Sequence, residues 1–163
     1  MKTILMSIQA EHNIHIEKGL KKSELRTRAP KIDTPFKVLT YESGLNGRHK
    51  VVNEWICKDI TTWLMYMGLP AHLSKVACVS NEYIWEYCNR GHKNIDEMHI
   101  TDLVIYDTPK DLTEFYCEKT INCFTTEYNI EGIVHYPKKK KVIEQIKRPP
   151  QSWCYVIEKE SNA

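Results

Sequence analysis

The chain has 163 residues, of which 42% are hydrophobic and 27% charged, and its net charge is +2. This length is sufficient to bury a core without disulfides or metals, and this composition excludes an intrinsically disordered chain. No apolar run approaches the roughly 20 residues of a membrane span, and Ile4–Met6 is too short for the apolar region of a signal peptide. We therefore expect one cytoplasmic domain over residues 1–163, monomeric and without a membrane segment.

The first third of the chain alternates between strand and helix signals. Thr3–Ser7 is predicted to be a strand. Ala10–Lys18 is predicted to be a helix that ends at Gly19, the residue type that commonly follows a helix C-terminus. Phe36–Ser43 and Lys50–Ile60 show the two-residue alternation of strands.

The middle third is predicted to be helical over about residues 61–92. Thr61–Met67 and Ala71–Cys78 flank a Gly-Leu-Pro break, and Asn81–Asn89 follows Ser80 as its N-cap. The residues that we expect on the buried face of this last helix are Tyr83, Ile84, Tyr87 and Cys88.

The last third is predicted to return to strands. Ile100–Tyr106 is a strand candidate, and Thr108–Phe115 is predicted to be a short helix with Pro109 at its first position. Residues 116–147 are interpreted as a variable insert whose lysine run forms an exposed loop, and Trp153–Ile157 as a closing strand. Strands near both ends of the chain favour a small barrel in which the ends are paired.

Basic residues are concentrated in two segments. Residues 18–31 contain six basic residues against Glu24, and residues 138–148 contain six against Glu144, so each segment carries +5. The rest of the chain is therefore acidic. Two positive patches indicate a polyanionic partner at one face, and a pair of solvated loops is the alternative.

The cysteines give no sign of a disulfide framework or a metal site. The six cysteines contain no C-x-x-C pair and are spread along the chain, which fits buried free thiols. Cys117, Cys123 and His135 match no zinc spacing. We therefore predict no metal and no cofactor.

The residues with the clearest chemistry follow the predicted first helix. Gly19–Arg26 has the form G-x-K-x-x-E-x-R. In a strand, residues two apart share a face, so Glu24, Arg26 and Arg28 project together, with Lys21 at the mouth of the strand. Such a group can hold a phosphate and hydrogen-bond a base edge. The alternative is a structural ion pair between Glu24 and Arg26, with solvated lysines.

This octapeptide resembles the signature of ASCH domains. Further blocks resemble the family in the same order, and they are Ile4–Ile8, Pro35–Glu42, His99–Leu112 and Arg148–Val156. The last block is similar to the ending of a subgroup common in bacterial and phage genomes. The resemblance implies an α+β fold, a PUA-like β-barrel of mixed but mainly antiparallel strands with short helices around it. The chain departs from its relatives at Gln9-Ala10, where they often have Lys-Pro, and residues 117–141 resemble a cysteine-richer insert.

The resemblance also implies a basic cleft between the barrel and the helix that precedes the motif. Lys21, Glu24 and Arg26 would line this cleft. The other residues that we expect to bind RNA or a nucleotide are Ser7, Lys22, Arg28, Tyr41, Gln151, Ser152 and Trp153. A place in the core is the alternative for both aromatic residues.

We predict an RNA- or modified-nucleotide-binding module that is regulatory rather than catalytic. One alternative is a small hydrolase, because some ASCH proteins resemble amidohydrolases of acetylated cytidine and others are linked to RNA cleavage. Lys21 and Glu24 would then be catalytic, although Glu24 stands where the amidohydrolase type has Thr. Another alternative is a phage protein that binds a host factor. His12 and His15 are interpreted as surface or packing residues.

Overall fold

The computed structural model describes residues 1–88, 92–129 and 132–157. Its strands and helices are, in chain order, β1 (Thr3–Gln9), α1 (Ala10–Glu17), β2 (Ser23–Arg26), β3 (Phe36–Ser43), β4 (Val51–Leu64), α2 (Leu73–Ala77), α3 (Asn81–Cys88), β5 (Asn94–Lys110), β6 (Tyr116–Asn129), β7 (Gly132–Gln145) and β8 (Trp153–Val156). The predicted α+β class is confirmed.

Six of the described strands form one curled sheet in the order β2-β5-β4-β3-β1-β8. β1 and β3 are parallel, and the other neighbours are antiparallel. The pairing of β4 with β5 shifts register at three places, and such bulges bend and twist a strand. The sheet curls into a half-barrel. The predicted pairing of the first strand with the last is confirmed by β1 and β8.

β1 lies inside the core because both of its faces are covered. Ile4 and Met6 pack with Trp55 on one face, whereas Leu5 packs with Leu39 on the other. A strand covered on both faces needs apolar residues at successive positions. This explains why β1 has an almost continuous apolar run instead of an alternating one.

The two helices of the middle third pack against one end of the sheet. The apolar cluster between them and the sheet contains Leu25, Leu73, Ala77, Ile84, Cys88 and Ile95. The predicted burial of Ile84 and Cys88 is confirmed, but Tyr83 is 43% exposed, and Asn89 lies outside the described residues. No helix within 1–88, 92–129 and 132–157 is long and apolar enough to cross a membrane.

The prediction that Thr61–Met67 is helical is wrong for most of its length. Thr61–Leu64 continues β4 and pairs with Asn94–Glu97, and only Met65–Met67 forms a 3₁₀ turn. The β-branched and aromatic side chains of Thr61, Thr62 and Trp63 favour this extended pairing. Propensity within a short window did not reveal the strand partner, which lies about 30 residues away in the sequence.

Two predictions for the last third are also corrected. Thr108 and Pro109 belong to the end of β5, and the following 3₁₀ turn, Leu112–Glu114, is capped by Asp111 instead. The lysine run is not a loop, because Lys138–Lys141 lies within β7, which pairs along its whole length with β6. We call this two-stranded unit, β6 and β7, the arm.

Candidate ligand-binding cavity

The chain reverses direction between α1 and the motif. Gly19 has a φ of +66°, in the left-handed region that favours glycine. Its N–H donates to the carbonyl of Ile16, and the N–H groups of Leu20 and Lys21 both donate to the carbonyl of His15. These bonds satisfy the last carbonyls of the helix and lead the chain into β2. The predicted helix end is confirmed.

Lys21, Glu24 and Arg26 form one buried cluster, which we call the cavity cluster. Nζ of Lys21 lies 3.3 Å from Oε2 of Glu24, and Nη2 of Arg26 lies 3.0 Å from Oε1 of Glu24. Lys21 also donates to the carbonyl of Ala77 over 2.7 Å, and Arg26 donates to that of Ser7 over 2.8 Å. The side chains of Lys21 and Glu24 are only 3% and 8% exposed. The cluster therefore ties α2, β2 and β1 together.

The carboxylate of Glu24 is held between two cations. Burial alone would raise the pKa of Glu24, but Lys21 and Arg26 outweigh burial and lower this pKa below its ordinary value. The cluster therefore has one carboxylate against two basic side chains. Nε of Arg26 is buried and has no hydrogen-bond partner among the residues that the structure describes. Arg26 itself lines the cavity described next.

An open cavity of about 600 Å³ lies over the cavity cluster. Its lining includes the end of β1, His12 of α1, and Tyr83 and Tyr87 of α3. Arg28, which is exposed, stands at its rim. A volume of this size is typical of sites for small molecules and cofactors.

Part of the cavity lining, contributed by α3, is aromatic. The rings of Tyr83 and Tyr87 are stacked, with centroids 6.3 Å apart and planes inclined by 14°. The hydroxyl of Tyr83 lies 3.2 Å from Nε2 of His12, and the His12 ring meets the Tyr83 ring edge to face. The cavity thus has a flat aromatic surface beside groups that donate and accept hydrogen bonds.

Burial determines the protonation of the histidine and the tyrosine. Burial, followed by the charge of Lys21, lowers the pKa of His12 below 6.5. Burial also raises the pKa of Tyr83, with smaller contributions from Tyr87 and Glu24. At neutral pH the imidazole is therefore uncharged and the phenol is protonated. Within the described ranges, no group of three or more His, Cys, Asp or Glu residues could hold a metal ion.

The site residues predicted from the sequence did not include His12, Tyr83 or Tyr87. A signal existed for the tyrosines, because residues four apart share one face of a helix, and aromatic residues there suit a binding wall as well as a core. His12 had no such signal. Its place in the cavity depends on Tyr83, which is 71 residues away in the sequence.

The segment before β8 forms another part of the rim. The hydroxyl of Ser7 donates to the carbonyl of Pro150 over 2.6 Å, and the N–H of Ser7 donates to that of Ser152 over 2.9 Å. Gln151 and Ser152 consequently line the cavity. The pairing of β1 with β8 is what brings the two ends of the chain to one site.

Three of the predicted ligand-binding residues lie outside the cavity. Tyr41 is 7% exposed and packs in the core with Leu5. Lys22 is exposed, and its backbone N–H donates to the carbonyl of Val76. Trp153 packs against the core and donates from Nε1 to the carbonyl of Arg28 over 2.9 Å, so it holds the rim without lining it.

Comparison with known proteins gives a likeness in structure but not in sequence. No protein-family model matches the chain, and no curated protein matches it. The crystal structure of the ASCH protein from Zymomonas mobilis matches with a TM-score of 0.59 and 18% identity, over 68% of this chain and 74% of that one. A single-residue mutant of the same protein matches with a TM-score of 0.67 and 16% identity, over 97% and 89%. The resemblance found in the sequence is confirmed at the level of the fold, and this chain has the PUA-like fold of ASCH proteins.

Proposed function

We propose that the protein is an RNA- or nucleotide-binding module in which the cavity receives one unpaired nucleotide. The observation that carries this proposal is a buried cluster of two cations and one carboxylate beneath an open cavity with an aromatic wall. The cations provide an attraction for phosphate, and the aromatic rings provide a surface for a base. These are the two parts of a nucleotide.

Arg26 and Arg28 are suited to the phosphate. Nε of Arg26 is a buried donor without a partner, and Arg28 adds an exposed guanidinium at the rim. Guanidinium groups bind phosphate through charge-assisted hydrogen bonds, which are stronger than neutral ones. Glu24 compensates part of this buried positive charge while the site is empty.

Tyr83 is suited to the base. Tyr83 is 43% exposed, lines the cavity and has its ring stacked with that of Tyr87. Stacking of a base on an aromatic side chain contributes about 1–3 kcal/mol. Gln151, Ser152 and His12 also line the cavity, and their polar groups would hydrogen-bond a base edge. A cavity of about 600 Å³ accommodates a nucleotide but not a duplex, which favours unpaired RNA or a free nucleotide as ligand.

The proposal is tested by equilibrium binding of nucleoside monophosphates and of a short single-stranded RNA to four variants. Arg28→Ala removes a cation at the rim, and its control Lys22→Ala removes an equally exposed cation outside the cavity. Tyr83→Ala removes the stacking surface, and its control Trp85→Ala removes an aromatic residue of α3 that is 40% exposed but does not line the cavity. We expect each cavity variant to bind about tenfold more weakly than its control. Equal affinities within each pair would refute the proposal.

A second candidate is hydrolysis of the bound nucleotide or RNA, and one observation favours it. His12 is an uncharged imidazole inside the cavity, which is the form that a general base requires. Lys21 is less suited to this role than the sequence suggested, because its Nζ already donates to Ala77 and contacts Glu24. Denaturing gels of the same RNA samples test hydrolysis. Shortened RNA that persists in His12→Gln would eliminate His12 as the base.

A further inference from the structure

The arm is a second basic element, separate from the cavity. Each of its strands has 14 residues, so the arm is ~45 Å long at about 3.3 Å per residue. It joins the main sheet at its base, where Tyr116 forms a bridge with Ile157 and the N–H of Ile146 donates to the carbonyl of Phe115. Beyond this base the arm has exposed side chains on both faces.

The lysines of the arm are exposed, and most of them have no acidic partner. Lys141 pairs with Glu118 over 2.9 Å, but Lys138, Lys139 and Lys140 form no ion pair with any residue that the structure describes. Successive side chains of a strand point to opposite faces, so Lys138 and Lys140 lie on one face and Lys139 on the other. The uncompensated charge therefore surrounds the arm instead of marking one flat side.

Exposed aromatic side chains lie next to these lysines, on the side towards the tip of the arm. Phe124 is 71% exposed and pairs with Pro137 beside the lysine run, and Tyr136 is 47% exposed. An exposed phenylalanine among cations is costly in water but is suited to a ligand that has both phosphates and flat bases.

A second cavity lies at the base of the arm, and its lining is adjacent in the sequence to that of the first cavity. Its volume is about 770 Å³, and its lining includes Lys119, Glu144, Lys147, Arg148 and Pro150. Glu144 is paired with Lys119 over 2.8 Å, so Lys147 and Arg148 are in excess of the acidic groups here. The chain then runs from Pro150 directly to Gln151 and Ser152, which line the first cavity.

We infer that the surface from Lys147 and Arg148 to Lys138–Lys140 binds the phosphate backbone of a single-stranded RNA that extends from the first cavity. The identity of this polyanion as RNA rests on the proposed function. The surface has uncompensated cations at both ends, the exposed side chain of Ile143 between them, and exposed aromatic side chains just beyond Lys138. A continuous chain segment leads from its base to the nucleotide site. A single strand can follow this curved route, whereas a flat anionic surface would contact only one face of the arm.

The test measures the salt dependence of RNA binding by an arm variant with Lys138, Lys139 and Lys140 all changed to Gln. The probe is a fluorescein-labelled single-stranded RNA of about 12 nucleotides, a length within the usual range of single-strand sites. The slope of log K against log salt is negative, and loss of three phosphate contacts makes it less steep by about 2. The matched control changes Lys31, Lys58 and Lys75 to Gln, because these lysines are exposed and line neither cavity. It should keep the wild-type slope.

A second variant separates charge from arm structure. Changing the same three lysines to Arg keeps the charge, so it should also keep the slope. Equal slopes for the Gln variant of the arm and its matched control would overturn the inference. A slope in the Arg variant that is less steep than in the wild type would overturn it as well.

Nucleoside monophosphates distinguish this inference from the proposed function, since they reach only the first cavity. We expect the arm variant to bind them with wild-type affinity. If no protein binds monophosphates while the arm variant still loses salt dependence, the cavity function is refuted and the arm contact is supported.

Discussion

Two clusters of charged side chains lie beside α1, and one of them lines the cavity described above whereas the other does not. The cavity cluster is Lys21, Glu24 and Arg26. The second cluster, which we call the closed cluster, consists of Asn13, Glu17, Glu42, Arg48 and Asn53. Each cluster contains a glutamate, Glu24 or Glu42. Burial would raise the pKa of this glutamate, but its cationic partners outweigh burial and lower the pKa. The same chemistry therefore serves two different purposes in one small domain.

The difference lies in how the hydrogen-bonding groups are used. In the closed cluster, Arg48 donates from its backbone N–H and from Nε to Glu42, while Nη2 contacts both Glu42 and Glu17. Asn13 donates to Glu42 over 2.7 Å and accepts from Asn53 over 2.8 Å. These bonds connect α1 to β3, β4 and the loop between these two strands. The closed cluster thus has a structural role, since it holds these elements together.

Each cluster has one buried atom without a partner in the described part of the chain, and the surroundings of that atom distinguish them. In the closed cluster it is Oδ1 of Asn53, which borders neither of the cavities described above. In the cavity cluster it is Nε of Arg26, and Arg26 borders the cavity. A buried ion pair alone is therefore weak evidence for a site, and the adjoining space makes the difference.

The largest effect is expected when the closed cluster is broken by Arg48→Met. This change leaves the carboxylates of Glu42 and Glu17 without their shared cation. The side chain of Arg48 is 40% exposed and solvent screens part of its charge, so we expect a loss of about 2 kcal/mol, less than for a fully buried pair. Urea unfolding should show this loss, while the affinity for nucleotide, measured under conditions where the variant is folded, should be unchanged. A loss of affinity with unaltered stability would show that the two clusters have been assigned the wrong way round.

Arg26→Met is the matched change in the cavity cluster, and its expected effects are the opposite. Glu24 keeps Lys21 as its partner, so the unfolding free energy should fall by only about 1–2 kcal/mol. Nucleotide affinity should fall about tenfold or more, because a buried donor to the ligand is lost. The comparison fails if Arg26→Met destabilises the protein as much as Arg48→Met and binds nucleotide normally.

A feature of the fold or of the site could be predicted from the sequence when the residues that form it lie close together along the chain. The motif was recognisable because Gly19, Lys21, Glu24 and Arg26 lie within one turn and one strand. The closed cluster was not, since Asn13 and Asn53 meet through pairing that carries no local pattern. Spacing alone could not decide between a structural ion pair and a ligand site for Glu24 and Arg26, because the ion pair and the cavity coexist.

The arm illustrates a second limit of the sequence. Residues 116–147 have neither a regular polar–apolar alternation nor a buried face, because both faces of the arm are exposed beyond its base. Strand prediction depends on the contrast between a buried and an exposed face. Where that contrast is absent, a paired strand and a solvated loop have the same pattern.

The smallest expected effect is a dependence of the unfolding free energy on pH, which arises from His12 on the cavity side of α1. His12 faces the cavity, whereas its neighbour Asn13 belongs to the closed cluster and does not titrate. The titratable groups around the His12 imidazole are Glu11, Lys21, Glu24, Arg26 and Tyr83. Since folding lowers the pKa of His12 below 6.5, the unfolded chain binds this proton more readily, and the unfolding free energy should fall as the pH drops below 6.5.

This dependence is measured as the difference in unfolding free energy between about pH 7.5 and about pH 5.5, a range above the ordinary pKa of carboxylates. The part that disappears in His12→Gln should be below about 1 kcal/mol, because the side chain of His12 is 19% exposed and solvent screens part of its charge. His135→Gln, an exposed position on the arm, is the control and should leave the difference unchanged. If His12→Gln also leaves it unchanged, His12 does not feel the cations of the cavity cluster, and the electrostatic distinction between the two sides of α1 is lost.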